Sequence, residues 1–220
     1  MKYKLVCFDI DGTLVEDYMG GNYWMTLHRV FEGEEEGMRI NDGRRARFHS
    51  GEIDYKKWVD LDVSSFKMLG KRKGDFEDAT RLHRLFLGAK ETILELKARG
   101  YHLALISGSL SILIETLFPD HPFDDIFTNE IYFNADGTVR SWKATVFDHG
   151  SKHKAMHEIC KREKIPLSQA VFVGDGENDI DILEEAGLGI AFCPKSERVA
   201  TAADVVIRKK DVREILKYLE

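Results

Sequence analysis

The sequence predicts an α/β protein with a doubly wound, mainly parallel, Rossmann-like sheet. Short apolar runs of β-favouring residues occupy positions 4–8, 101–106 and 169–173, and each is typical of a buried strand. Apolar residues at helical spacing occur between these runs, for example in residues 89–99 and 152–164. Strands that alternate with helices form a parallel sheet with helices on both faces. This alternation determines the predicted fold class.

The first predicted strand, residues 4–8, ends in two aspartates. Asp9 and Asp11 flank one apolar residue, and Gly12 and Thr13 follow. Carboxylates at a buried strand end repel each other and lose solvation unless a cation neutralises them. Mg²⁺ suits such a pair because it takes oxygen ligands and needs only one or two protein carboxylates. The alternative at this point is that both acids merely begin a turn.

Residues 15–84 differ in character from the rest, because they are rich in charged and aromatic side chains. Apolar residues at helical spacing predict helices around residues 23–31 and 53–66. We therefore predict a helical cap over residues 15–84, called the cap segment below. It is inserted into an α/β core made of residues 1–14 and 85–220.

The chain after the cap segment alternates between helices and strands. A glycine closes the first helix, and an Asp-Gly pair predicts the turn of a small hairpin flap. The predicted elements are a helix at 89–99, a strand at 101–106, a helix at 111–118, a strand at 123–127, a hairpin at 130–139, a helix at 152–164, strands at 169–173, 188–192 and 203–207, and a helix at 211–219.

Three of the predicted strands end in polar loops that contain glycine. The carboxyl ends of parallel strands meet at one edge of the sheet, where ligands of such folds bind. Carboxylates with Mg²⁺, a hydroxyl, backbone N–H groups and a lysine together suit an anionic phosphate. The residues expected at this edge are Asp9, Asp11, Ser107, Gly108, Lys152, Asp175, Asn178 and Asp179.

Composition excludes several classes of partner. The net charge of −6 argues against a non-specific nucleic-acid binder and against a protein of anionic membranes. No apolar run approaches the length of a membrane span. Cys7, Cys160 and Cys193 lack paired spacing, so we expect reduced thiols and a cytoplasmic location. We expect a monomer or a homodimer.

Four motifs, in order along the chain, resemble those of the haloacid dehalogenase (HAD) superfamily. They are the run DIDGT at residues 9–13, the loop at Ser107, Lys152, and the run GDGEND at residues 174–179. The segment that begins at Lys152 is similar to the phosphoserine phosphatase subgroup, and the helical insertion after the first motif matches the cap of that subgroup.

The resemblance implies a Mg²⁺-dependent phosphomonoester hydrolase that acts on a small phosphorylated metabolite. It implies that Asp9 is the nucleophile and forms an aspartyl-phosphate, and that Asp11 is the general acid and then the general base. It also implies that Asp179 orients Lys152. Mg²⁺ is expected on the Asp9 carboxylate, the Asp11 backbone carbonyl and Asp175. The residues expected to bind phosphate are Ser107, Gly108, Lys152 and Asn178.

Two cap positions depart from the subgroup. The glutamate that receives a substrate ammonium there falls on Tyr18, and the arginine that receives a substrate carboxylate falls on Asp62. An acid where a substrate carboxylate should bind would repel it. Substitutes would require a different threading of the cap, and the candidates are Glu16, Asp17, Arg44, Arg45 and Arg47. We therefore expect the chemistry of the subgroup, but not its specificity for phosphoserine.

Other function classes remain open at this stage. A phosphotransferase that passes the phosphoryl group to an alcohol would differ only in its acceptor. A non-catalytic HAD-like protein would be expected to lack some of the motifs. A receiver-type phosphoacceptor domain has paired acids on its first strand but its phosphorylated aspartate on the third, whereas here the candidate nucleophile Asp9 leads the chain.

Overall fold

A computed structural model describes residues 2–219 and contains a seven-stranded sheet with the order β4-β3-β2-β1-β5-β6-β7. Neighbouring strands are parallel, except that β3 and β4 form an antiparallel hairpin. The predicted fold class is confirmed. The strands are β1 (Leu5–Phe8), β2 (His102–Leu110), β3 (Asp125–Phe133), β4 (Val139–Lys143), β5 (Ala170–Gly174), β6 (Leu188–Phe192) and β7 (Val205–Ile207).

Four helices lie in the cap segment and the others flank the sheet. The final helix expected at 211–219 is instead a 3₁₀ segment, Val212–Tyr218. The α-helices are α1 (Tyr23–Glu32), α2 (Glu34–His49), α3 (Tyr55–Met68), α4 (Lys73–Thr80), α5 (Ala89–Ala98), α6 (Ser111–Leu117), α7 (Lys152–Glu163), α8 (Ile180–Glu185) and α9 (Glu197–Ala202).

Strand β1 supplies side chains to two hydrophobic cores, because successive residues of a strand point to opposite faces of the sheet. Val6 and Phe8 join the core that also contains α5, α6 and the buried face of the cap segment. Leu5 and Cys7 join the core formed with α7, α8 and α9. All four side chains are fully buried, so β1 is the centre of the molecule.

The position of β1 between β2 and β5 brings the predicted loops together. Phe8 pairs with Leu105 on one side and with Val173 on the other. The residues that follow these three positions therefore meet at the same edge of the sheet. Asp9 comes directly after β1, while Asp175 comes directly after β5.

Two predicted boundaries were wrong. The polar run at residues 107–109 does not leave the sheet but continues β2, and the pairing register with β3 shifts between Ile106 and Leu110. The predicted strand at 123–127 and the first arm of the hairpin form one strand, β3. It pairs with β2 as far as Asn129 and with β4 from Glu130 onward, so two partners stabilise successive halves of it.

The cap segment has an aromatic interior. The rings of Phe31, Phe66 and Phe76 pack edge to face, with centroids 5.0 to 6.1 Å apart. Tyr23 is fully buried beside them and donates a hydrogen bond to the carbonyl of Phe76 at 2.9 Å. Within residues 2–219, no helix has both the length and the apolar character needed to cross a bilayer.

Candidate active site

Asp9 is buried at the end of β1 and is paired with a buried lysine. The ammonium of Lys152 lies 2.8 Å from Oδ1 of Asp9 and 2.7 Å from Oδ1 of Asp179. Lys152 is only 1% exposed, although lysine is almost never fully buried unless it is paired. Burial opposes its charge, but Asp179 and Asp9 outweigh this effect and raise the pKa of Lys152. Lys152 is therefore a permanent cation between two acids.

Asp179 also shapes the loop that follows β5. Its Oδ2 accepts hydrogen bonds from the backbone N–H groups of Asp175 and Gly176, both at 3.0 Å. Burial raises the pKa of Asp179, against the opposing effect of Lys152. One carboxylate thus fixes both the loop and the lysine, which is the contact required by the prediction that Asp179 orients Lys152.

Asp175 lies between a hydroxyl and a second lysine. Its Oδ1 accepts a hydrogen bond from Thr13 at 3.1 Å, and its Oδ2 lies 2.9 Å from the ammonium of Lys195. This Oδ2 accepts no hydrogen bond of good geometry from the described residues. The same ammonium lies 3.1 Å from Asp17. Burial raises the pKa of Asp175, while Lys195 lowers it.

Asp11 lies where the cap segment meets the core. Its Oδ1 accepts a hydrogen bond from the backbone N–H of Tyr23, 2.8 Å away, at the start of α1. Burial is the largest effect and raises the pKa of Asp11. The hydroxyl of Ser109 and the N–H of Tyr23 act in the opposite direction, and the charge of Asp9 adds to the increase. A raised pKa makes the protonated form of this carboxyl group more accessible, which suits a general acid.

Ser107 and Gly108 lie on the last part of β2, beside Asp11. Ser107 is 2% exposed, and its Oγ accepts a hydrogen bond from the N–H of Ser109 at 3.1 Å. A Cβ atom on Gly108 would lie 2.0 Å from Oδ2 of Asp148, so only glycine fits there. Oδ1 of Asp148 accepts a hydrogen bond from the amide of Asn178 at 2.9 Å.

The predicted site residues therefore lie together, although not every predicted contact is present. Asn178 bonds to Asp148, a residue that the sequence motifs did not single out. Lys195 was also missed, but it follows β6 as Asp175 follows β5, so the strand-end argument applied to that strand would have found it. Asp148 belongs to no predicted element, and its role depends on tertiary contact alone.

Three buried carboxylates have the donor set of a metal site. One oxygen each from Asp9, Asp175 and Asp179 lies within 4.8 Å of the others. Carboxylate oxygens are the ligands of hard divalent cations. Oδ2 of Asp175 faces the ammonium of Lys195 at 2.9 Å, and its second lone pair remains for such an ion. The residues present fit a divalent cation.

The two cap positions that depart from the phosphoserine phosphatases offer neither a negative charge for a substrate ammonium nor a positive charge for a substrate carboxylate. The ring of Tyr18 lies against His83, with centroids 5.9 Å apart. Asp62 is 3% exposed inside the cap segment and accepts a hydrogen bond from Arg44 at 2.7 Å. Arg44, one of the candidate replacements, is therefore neutralised by Asp62, the acid at the position of the expected arginine.

Comparisons with known proteins agree with this geometry. The family model of the haloacid dehalogenase-like hydrolases matches residues 3–187. The phosphoserine phosphatase of Methanocaldococcus jannaschii is 34% identical over 219 residues, which cover 100% of this chain and 99% of the relative. That of Lactococcus lactis is 30% identical, with 98% and 95% covered.

Solved structures show the same similarity over the full chain. A phospho-aspartyl intermediate analogue of phosphoserine phosphatase has a TM-score of 0.75 at 33% identity, and 100% of both chains is covered. A substrate-bound phosphoserine phosphatase has a TM-score of 0.76 at 32% identity, again with 100% of both chains covered. The chain therefore belongs to the haloacid dehalogenase-like hydrolases, as an enzyme of the phosphatase type within that family.

Proposed function

We propose that this enzyme is a Mg²⁺-dependent phosphomonoesterase that acts on a small phosphorylated metabolite through an aspartyl-phosphate on Asp9. The observation that carries the proposal is the buried group at the end of β1, in which Asp9 lies against the permanent cation of Lys152 and beside Asp175. A carboxylate attacks a phosphate dianion only where cations offset their mutual repulsion.

Mg²⁺ would be held by the carboxylates of Asp9 and Asp175 and by the backbone carbonyl of Asp11. When bound, it supplies positive charge that draws electron density from the phosphoryl group. Asp179 is not assigned to the metal, because its oxygens already accept hydrogen bonds from Lys152 and from the loop after β5. The phosphate oxygens would be bound by Ser107, Gly108, Lys152 and Asn178.

The first chemical step is displacement at phosphorus. A carboxylate oxygen of Asp9 forms a bond to phosphorus while the bond to the ester oxygen breaks. Asp11, whose pKa is raised by burial, gives its proton to the departing oxygen, so that an alcohol leaves.

The second step returns the enzyme to its starting state. Asp11, now ionised, takes a proton from a water molecule that attacks the phosphorus atom. The bond between phosphorus and Asp9 breaks, and inorganic phosphate is released. The hydrogen bond from the N–H of Tyr23 stabilises the ionised form of Asp11 between the two steps.

We include the division of the chain in this proposal, with residues 1–14 and 85–220 as the catalytic core and the cap segment as its cover. Phosphoserine is the first substrate to test, since it is named in the relatives, but the environments of Tyr18 and Asp62 favour a different leaving group. The three cysteines are free thiols, which supports a cytoplasmic location.

The test is a panel of phosphorylated metabolites assayed with Mg²⁺ for release of inorganic phosphate. We expect hydrolysis of at least one compound and a loss of about 1000-fold or more in Asp9→Asn, since the nucleophile is removed. Asp120→Asn, at an exposed aspartate, is the matched control and should retain full activity.

Two results would contradict the proposal. One is the absence of hydrolysis across the panel, and the other is undiminished activity in Asp9→Asn. Addition of acceptor alcohols distinguishes the phosphotransferase alternative, because a transferase would form a new phosphate ester in place of inorganic phosphate.

A further inference from the structure

The first turn of α1 contacts the core at two adjacent residues. The N–H of Tyr23 donates to Asp11, and the indole Nε1 of Trp24 donates to the carbonyl oxygen of Gly108 at 2.9 Å. The side chain of Asn22 caps the helix by accepting from the N–H of Met25 at 3.1 Å, which fixes where the helix begins. The cap segment thus reaches the candidate acid and the phosphate-binding strand through one rigid turn.

The carbonyl of Gly108 receives donors from both parts of the molecule. Asn129 on β3 donates to it at 2.6 Å, and the hydroxyl of Tyr55 on α3 lies 3.2 Å away. A carbonyl oxygen has two lone pairs, so the two shorter bonds, from Asn129 and Trp24, are the principal ones. Asn129 is anchored in the core, because its own oxygen accepts from the N–H of Thr145 at 2.8 Å. The hydrogen bond from Trp24 is therefore the principal bond to the Gly108 carbonyl that depends on the position of the cap segment.

The Gly108 carbonyl and the Ser109 N–H belong to one peptide group. That group is planar, so a bond that fixes the direction of the carbonyl also fixes the direction of the N–H. The N–H of Ser109 donates to Oγ of Ser107 at 3.1 Å. With this acceptor position filled, the hydroxyl hydrogen of Ser107 remains available to a phosphate oxygen.

We infer that Trp24 is a positioning residue, which couples the placement of the cap segment over the core to the orientation of the Ser107 hydroxyl. The coupling runs from the indole N–H through the Gly108–Ser109 peptide to Oγ of Ser107. This inference rests on the proposed function, since it assigns the binding of phosphate to Ser107. The hydroxyl of Tyr55 contributes less, because its contact with Gly108 is longer.

The experiment compares Trp24→Phe, which removes the indole donor, with the wild type and with Trp142→Phe. Trp142 is a matched control because its indole donates to Asp60 at 2.8 Å, across the contact between α3 and the hairpin and away from Ser107. We expect the inhibition constant of inorganic phosphate, measured with Mg²⁺ and p-nitrophenyl phosphate, to rise about 3- to 10-fold in Trp24→Phe. In Trp142→Phe it should not change.

A purely structural role for Trp24 would lower the melting temperature but leave the inhibition constant of the folded enzyme unchanged, and that result overturns the inference. If Trp24→Phe does not fold, Tyr55→Phe is tested in its place. The inference predicts a rise of about 2-fold in the inhibition constant of inorganic phosphate, whereas a purely structural role predicts no rise. Wild type that hydrolyses no phosphomonoester and shows no calorimetric binding of inorganic phosphate would overturn the proposed function and this inference together. Wild-type hydrolysis together with an unaltered inhibition constant in Trp24→Phe would overturn the inference alone.

Discussion

Gly12 lies against the carboxylate of Asp175, in the short loop between the two aspartates of the first motif and Thr13. Its φ angle is +81°, and a Cβ atom would lie 2.0 Å from Oδ2 of Asp175 and 2.8 Å from the ammonium of Lys195. The residue therefore meets two separate constraints. Its backbone conformation disfavours other residues, and its missing side chain leaves room for the acid.

Replacement of Gly12 by alanine separates these constraints when it is compared with Gly100→Ala. Gly100 has a φ of +85°, and its Cβ would meet no atom within 4 Å. Gly100→Ala should lose about 1 kcal/mol of unfolding free energy in urea, since alanine is strained at positive φ. Gly12→Ala should lose more, since its Cβ also clashes with Asp175. Only Gly12→Ala should lose about 100-fold or more in kcat/KM, because it displaces Asp175. Equal kinetics in the two variants would show that the space at Gly12 is irrelevant to the site.

The positions of individual site residues were predictable where they directly follow a predicted strand. Asp9 and Asp175 follow apolar runs, and the argument that parallel strands share an edge brought them together correctly. Asp148 gave no such signal, because its place beside Gly108 depends on the path of the long connection between β4 and α7. Trp24 was visible only as one of several aromatic residues, whose partners are set by helix packing.

Three helices of the cap segment are joined by one buried cluster of charges. His28 of α1 contacts Glu32 at 2.5 Å and Asp62 of α3 at 3.2 Å, and Arg44 of α2 bonds to Asp62. Two acids balance two cations when His28 is protonated. Burial disfavours the charge of His28, but Asp62 and Glu32 outweigh this effect and raise the pKa of His28.

The raised pKa of His28 makes the stability of these helices depend on pH. A histidine whose pKa is higher in the folded state stabilises the protein fully below its unfolded pKa of about 6.5, and this contribution disappears as the pH rises through the folded pKa. We expect His28→Gln to cost about 3 kcal/mol at pH 6 and less at pH 9, measured by urea unfolding at both values.

The control for this prediction is His157→Gln, since His157 pairs with Glu185 at 2.8 Å on the surface. Its effect should be below about 1 kcal/mol at either pH. A cost for His28→Gln that does not change with pH would contradict a charged His28 in the folded protein.

At the scale of elements, the existence of helices was easier to predict than their arrangement. Helical spacing located α1 and α3 closely, and glycine and Asp-Gly signals located the hairpin. Asp62 and Arg44 could not be recognised as partners, because they are far apart in sequence and lie on different helices. The continuation of β2 through residues 107–109 was missed for a similar reason, since a polar run stays in a sheet only when its neighbours pair with it.

The molecule as a whole encloses its candidate nucleophile. Asp9 is 5% exposed, and the cap segment bonds to the core at Asp11 and Gly108 directly beside it. A substrate must fit within the space between cap segment and core once these contacts form. We expect small phosphate esters to enter this space more readily than a phosphorylated side chain on a folded protein.

We therefore expect p-nitrophenyl phosphate to be hydrolysed with a kcat/KM at least about 100-fold above that of a phosphorylated protein such as casein. Release of inorganic phosphate under identical Mg²⁺ conditions gives the comparison, and a free phosphorylated amino acid controls for the chemistry of the ester. Comparable rates on the protein and on the small ester would show that the cap segment does not restrict access.

The central place of β1 also affects how the protein is made. Leu5 is synthesised well before Ala170, which is one of its partners in the sheet. At the usual speed of synthesis, this strand waits about 10 to 30 s for its second neighbour. During that time a fully apolar segment has an open edge, which is a condition that favours aggregation. The feature that centres the nucleophile in the finished enzyme is thus a liability for the nascent chain.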